Sequence, residues 1–374
     1  MNKGKLDSIQ VLRGIAALLV VLFHFRHFVN DLYPLKDLGD KLFLFGEAGV
    51  DLFFVISGFI IVFSSKSREK NTFSEFAIKR FFRLYPIYFL VLTFYLISYR
   101  DEVFTISNII KSYLLIPIDF NDKGPWFGLS TIYTAWTLSY EAYFYMTFSI
   151  AIFISHKYRA VVCTAIILSI MIISQLYLYD GLFLDPVTVK KENKGVLYNL
   201  SFISNPLIID LIIGMFLAYL YDFYDKKCGY HNIYNFIAFF CMVIALIFMV
   251  FRKTGSLGPV SWGWCSFLIV ASMLVLTKNL NLTYPRFLIS IGEMSYSIYI
   301  NHVVVKKVSF AYIGSLGLFT SKHGAFILFS LVAVTLYISY FTYTFIEKPS
   351  VKLGHKFADR IRLKRLECIP SKNC

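Results

Sequence analysis

Ten stretches of this chain are apolar for long enough to cross a lipid bilayer, so the pattern of hydrophobic positions sets the expected architecture. They run over residues 9–29, 44–65, 84–99, 133–154, 160–179, 205–221, 232–251, 259–277, 287–310 and 324–346. The third and sixth are the shortest and span only with little tilt. Polar residues gather between these stretches, at the ends a helix would present to water. The expected fold is therefore all-α: a polytopic membrane helical bundle of about ten transmembrane helices over 1–346, followed by a short basic tail over 347–374.

Composition agrees with that pattern. The chain is 57% hydrophobic and 16% charged, against about 25% charged in soluble domains. The first span is too long for a signal-peptide core and no small-residue cleavage site follows it, so it is expected to stay in the mature chain. An even number of spans puts both termini on one side. With the N-terminus inside, about 22 Lys and Arg fall in inner segments and about 13 in outer loops, which makes both termini cytoplasmic by the positive-inside rule. Much of the bias lies in "SKSREK" with "KRFFR", and in "KPSVKLGHKFADRIRLKR". The formal charge of +14 is thereby explained by topology and attraction to anionic membrane lipids, and nucleic-acid binding is not expected. The six cysteines show no CxxC spacing, so neither a disulfide framework nor a metal site is expected.

Against this apolar background a few polar residues stand out. "LRGIAALLVVLFHF" carries Arg13 and His24, eleven residues apart and so within roughly 20° of one another on one helical face, about 16 Å apart along it. A cation at bilayer depth costs at least about 2.5 kcal/mol, so such residues mark a functional cavity. "GEAGVDLFFVISGF" places Asp51 near the outer end of the second span, where it either caps the helix or orients the His24 imidazole. Ser57 and Gly58 suit close helix packing or a site. "NTFSEFAIKRFFRLYP" opens with Thr72 and Glu75 at capping-box spacing and reads as an interfacial amphipathic helix, with Pro86 in the first turn of the next span. Its Arg80 and Arg83, three residues apart, either fork onto phosphate oxygens or snorkel to lipid headgroups.

Farther along, Trp126 and Trp136 are interfacial anchors by position, and Glu141 lies within the fourth span, near its outer mouth and away from Arg13. "GEMSYSIYINH" in the ninth span carries Tyr296, Tyr299, Asn301 and His302, with Tyr299 and His302 on one face.

In this order the motifs resemble the acyltransferase 3 family of integral membrane acyltransferases. The matching stretches are "RGIAALLVVLFH", "GVDLFFVISGF", "KRFFRLYP", "WTLSYE", "SYSIYINH" and "FIEKP", which together cover nearly the whole chain. The resemblance implies transfer of an acyl group, commonly acetyl from cytoplasmic acetyl-CoA, to a carbohydrate hydroxyl across a bacterial cytoplasmic membrane. O-antigen and exopolysaccharide are among the family's acceptors. Carried over by position, the family's essential arginine and histidine fall on Arg13 and His24, and its RxxR pair on Arg80 and Arg83. The implied scheme gives Arg80 and Arg83 the CoA phosphates, Arg13 the donor path, and His24 the proton of the attacking hydroxyl. Asp51 and Glu141 assist, and Trp136, Tyr299 and His302 orient His24 or the acceptor. The short tail leaves no room for the outer hydrolase-like domain that some members append. The competing expectation from a polytopic chain with intramembrane charge is a transporter or flippase, although no matched halves are visible.

Overall fold

The computed structural model describes residues 3–67, 72–98, 104–187, 199–227, 231–252, 257–309 and 324–367. Cys228, Cys368 and Cys374, expected in an inner loop and the tail, lie outside the described residues. Within them the protein is an all-α polytopic membrane protein. Its helices are α1 (Lys3–Phe25), α2 (Leu38–Phe43), α3 (Gly49–Ser64), α4 (Phe73–Ser98), α5 (Ile106–Tyr113), α6 (Trp136–Ile154) and α7 (Arg159–Tyr179). They continue with α8 (Ile209–Lys227), α9 (Asn232–Phe251), α10 (Trp264–Leu280), α11 (Arg286–Glu293), α12 (Ser295–Val308), α13 (Gly324–Thr342) and α14 (Lys348–Glu367).

Eight helical stretches are long and apolar enough to cross a membrane, fewer than the ten expected. The two others are helical but fall short for different reasons. α6 has 19 residues, and its Thr137, Ser139, Glu141, Thr147 and Ser149 dilute its hydropathy. The ninth stretch is divided at Met294 into α11 and a 14-residue α12. Both are the segments richest in polar motif residues, so the shortfall marks where the bundle faces a site rather than lipid.

Two boundaries differ from the sequence expectation. No new helix starts at Pro86: α4 is one 26-residue helix with Pro86 inside it. Proline removes one backbone hydrogen bond, a loss that membrane helices tolerate when neighbours hold the stretch. Here α14 packs on Phe82, and the Tyr296 hydroxyl donates to the Leu84 carbonyl at 2.8 Å. Nor does helix stop with the last apolar stretch at 346: over 348–367 the basic tail forms the 20-residue α14. Phe357 stacks on Phe82 with ring centroids 5.5 Å apart, and Arg365 meets the buried Glu75 at 3.3 Å. Glu75 also accepts the Thr72 backbone N–H at 3.0 Å, one half of the expected capping box.

The bundle is drawn together by small residues. A Cβ added at Gly58 would run into the Leu211 carbonyl, and one at Gly214 into the Val55 carbonyl. These two glycines therefore let α3 and α8 touch backbone to backbone, the closest helix pairing available in a membrane. Gly14 and Gly292 do the same for α1 and α11. α1 stands at the hub, in contact with α3, α10, α11 and α12. A polar residue on its inward face, such as Arg13, is thus delivered to the centre of the molecule.

Candidate functional site

The central feature is a cavity of about 230 Å³ enclosed by α1, α3, α4, α6 and α12. Arg13 enters it from α1, Arg80 and Arg83 from α4, and Glu141 and Tyr145 from α6. Helical spacing explains the convergence. Arg80 and Arg83 are three apart on one face, as are Gln10 and Arg13, and Glu141 and Tyr145 are four apart. Walls from Val50, Phe53, Phe54 and Leu84 complete it. The arginine pair therefore points into the protein, not outward to lipid headgroups.

The three guanidiniums are not equally engaged. Arg80 donates to Ser64 Oγ at 3.0 Å and lies over the Phe76 and Tyr145 rings at 5.2 and 5.5 Å. Arg13 donates to Gln10 Oε1 at 3.1 Å. Arg83 has no hydrogen bond or ion pair within reach among the described residues, and it feels Glu347 and Glu141 only through space. Glu141 accepts a hydrogen bond from Tyr145 and is 3.5 Å from Ser57 Oγ. Three positive groups thus share one space with a single lining carboxylate, Glu141, with donors left over for an anion. The expectation that Glu141 lies away from Arg13 fails here. Both line the cavity.

His24 occupies a second polar cluster, beyond the cavity. Its Nδ1 lies 2.8 Å from the Val20 carbonyl oxygen and 3.3 Å from His302 Nε2. A carbonyl only accepts, so Nδ1 carries the proton and Nε2 is the unprotonated nitrogen. His302 Nε2 then accepts. The two imidazole centroids are 5.0 Å apart, and the Tyr133 ring is 5.2 Å from His24. Between the clusters stands Tyr299. It lines the cavity, its hydroxyl is 2.6 Å from Thr137 Oγ1 and 2.8 Å from the Thr134 carbonyl, and its ring lies 5.9 Å from His302.

The partner of His24 is thus His302 and not Asp51. Asp51 is fully buried, accepts the Gly258 backbone N–H at 2.6 Å, and lies against Asp210 of α8. The reason is depth. Gly46 and Gly49 close on the Leu19 and Ala16 carbonyls of α1, so α3 begins about 12 Å short of His24, eight residues on from Ala16 at 1.5 Å each. Asp51 then projects to α8 and α10. Of its two expected roles, orienting His24 is not what this placement allows; Asp51 is instead the acidic residue in the first turn of α3. No other side chain or backbone donor reaches Asp51 Oδ2 or the Asp210 oxygens, so the two buried carboxyls meet only by sharing a proton, and an amide at 210 would replace that proton with a permanent donor. Asp210→Asn should raise the midpoint of thermal unfolding in detergent, by an amount equivalent to about 1 kcal/mol. A lowered midpoint would refute that account.

Trp136 sits edge-on to Trp126 and Tyr140, with centroids 6.5 and 6.0 Å away. It is absent from the cavity wall, where its neighbours Thr137 and Leu138 stand. Two contributors were missed in the sequence. Tyr145 is one helical turn past Glu141. Glu347, 2% exposed, accepts from Ser297 Oγ at 2.6 Å and exerts its charge on Arg83 and Arg13. Its signal was the acid within "FIEKP", directly after an apolar span. No group of three or more His, Cys, Asp or Glu side chains among the described residues is arranged to hold a metal.

Comparison with known proteins places this geometry in a lineage. An acyltransferase domain family matches residues 6–344. The exopolysaccharide production protein ExoZ of Rhizobium meliloti (strain 1021) is 25% identical over 324 residues, covering 83% of this chain and 92% of its own. No solved structure matches the chain significantly. With the match running from the start of α1 to the end of α13, across every residue of both clusters except Glu347, the chain belongs to the acyltransferase 3 family of membrane acyltransferases.

Proposed function

We propose that the protein moves an acyl group, acetyl in the simplest case, from cytoplasmic acyl-CoA to a hydroxyl of an exported polysaccharide or its lipid-linked precursor. The protein would sit in the cytoplasmic membrane of a bacterium with both termini inside. The observation that carries this reading is the convergence of Arg13, Arg80 and Arg83 on one apolar-walled cavity. Such a space suits a phosphate at its charged end and an acyl-pantetheine arm along its walls. About 230 Å³ is too little for the nucleotide as well, which would remain at the cytoplasmic mouth. The exopolysaccharide function in the name of ExoZ supports a glycan as acceptor.

In this scheme the thioester comes up to Tyr299, which must shift from Thr137 to let it reach His24. His24 Nε2 takes the proton of the acceptor hydroxyl as its oxygen attacks the thioester carbonyl. The carbon–sulfur bond breaks, the acyl group stays on the sugar oxygen, and the departing thiolate recovers the proton from His24. The Val20 carbonyl keeps the proton on His24 Nδ1, and His302 Nε2, as a second acceptor of it, helps to hold the ring in that base-competent orientation. Alignment and a water-poor path are the protein's share of the work.

Purified protein supplied with acetyl-CoA labelled in its acetyl group and with glycan from cells lacking the gene should put label on the glycan. Free CoA should appear in equal amount. Uptake of glycan into sealed vesicles without label transfer would overturn the reading and favour a transporter.

A further inference from the structure

Beside His24 lies a charge that the scheme above does not use. Lys306, in the last turn of α12, donates from Nζ to the His24 backbone carbonyl at 3.1 Å and lies over the Phe28 ring at 5.7 Å. It is half-buried, and the charges acting on it are those of Arg26 and Lys307, both positive. The carboxylate nearby, Asp40, is taken by Arg26 at 2.8 Å and Asn30 at 2.9 Å. Among the described residues Lys306 therefore meets a carbonyl and a ring but no acid.

A lysine near a helix end ordinarily extends its stem and leaves its ammonium in water or among headgroups. Lys306 turns inward, onto the residue that would act as base. Holding an ammonium half out of water without a counter-charge is costly, and an arriving anion removes that cost. The Tyr133 ring lies 5.2 Å from the His24 ring, and its hydroxyl is buried without a hydrogen-bond partner. An open hydroxyl on a ring that packs against the imidazole, with an unpaired ammonium on the backbone of the same histidine, matches a ligand that carries hydroxyls and a negative charge together.

The geometry points to an acceptor subsite in which Lys306 binds an anionic group of the glycan while Tyr133 meets one of its hydroxyls. This rests on the proposed glycan acyl transfer and narrows it to acidic acceptors. The anion is either the carboxylate of an acidic sugar or the phosphate of a lipid carrier, and one measurement separates these sources. Full-length protein in nanodiscs of zwitterionic lipid is titrated with a glucuronate-containing oligosaccharide, with its neutral glucose counterpart, and with a polyprenyl phosphate added to the disc.

One acidic probe should bind about tenfold or more tightly than the neutral sugar, as expected for one charge-assisted contact. Lys306→Gln should abolish that preference and Lys306→Arg should keep it, while CoA binding stays unchanged in both variants and certifies their folding. Preference for the uronate identifies an acidic sugar, and preference for the polyprenyl phosphate identifies the carrier. Equal binding of acidic and neutral probes, or a preference that survives Lys306→Gln, overturns the proposal. An intact preference in a protein that transfers no acetyl would instead refute the catalytic reading and leave the anion subsite standing.

Discussion

His24→Ala should lower kcat by about 10² to 10⁴ with acyl-CoA and acceptor both saturating, the range that a positioned general base contributes. The loss should appear in kcat and kcat/KM alike, because the imidazole acts on a proton that moves only in the transition state. Folding should survive. The ring is only half-buried, and its hydrogen bonds run to Val20 in its own helix and to His302. His302→Ala should cost less, since it leaves the base in place with its Nδ1 proton on the Val20 carbonyl and removes only the second acceptor that steadies the ring. His302→Gln, whose side-chain oxygen still accepts from Nδ1, should recover part of the rate. Full activity in His24→Ala at saturation would remove His24 from the chemistry, and an unchanged rate in His302→Ala would leave the imidazole pair without a catalytic role.

What could be read in the sequence, and what could not, follows from which distances a one-dimensional pattern fixes. Spacing within a helix is set by the 3.6-residue period, so the shared face of Arg80 and Arg83, and that of Tyr299 and His302, were legible. The relative height of two helices is set by side-chain packing, which no period encodes. Asp51 was therefore expected beside His24, whereas glycines in the approach to α3 lodge that helix against the middle of α1. Nor does any period show that Glu141 of α6 and Arg13 of α1 line one cavity. Pro86 reads locally as a helix start, and the helical state of the basic tail has no clear local signal, because tertiary contacts rather than propensity decide both. The packing of Phe357 on Phe82 and the Arg365–Glu75 pair build α14 against α4 and hold both as helices. His302 was singled out as a neighbour of His24 or the acceptor, and the structure narrows that choice, since its Nε2 faces the His24 nitrogen.

The arginines should differ in a way that the shared motif does not announce. Arg83 has no hydrogen bond or ion pair of its own among the described residues, whereas Arg80 is already engaged by Ser64, Phe76 and Tyr145. A guanidinium with all its donors open gains most when a phosphate arrives, and a charge-assisted hydrogen bond is worth about 1.5 to 3 kcal/mol, or roughly 10- to 150-fold in binding. Arg83→Ala should therefore raise KM for acyl-CoA by about that factor, with little change in kcat, since donor binding alone is weakened. Arg80→Ala should raise it less, and part of its effect should appear as lower thermal stability. Arg83→Lys should restore little, because an ammonium cannot fork onto two phosphate oxygens. KM for the glycan should stay where it is in all three variants. A rise in the glycan KM alone would move the arginine cluster to the acceptor and leave the cytoplasmic donor without a binding site.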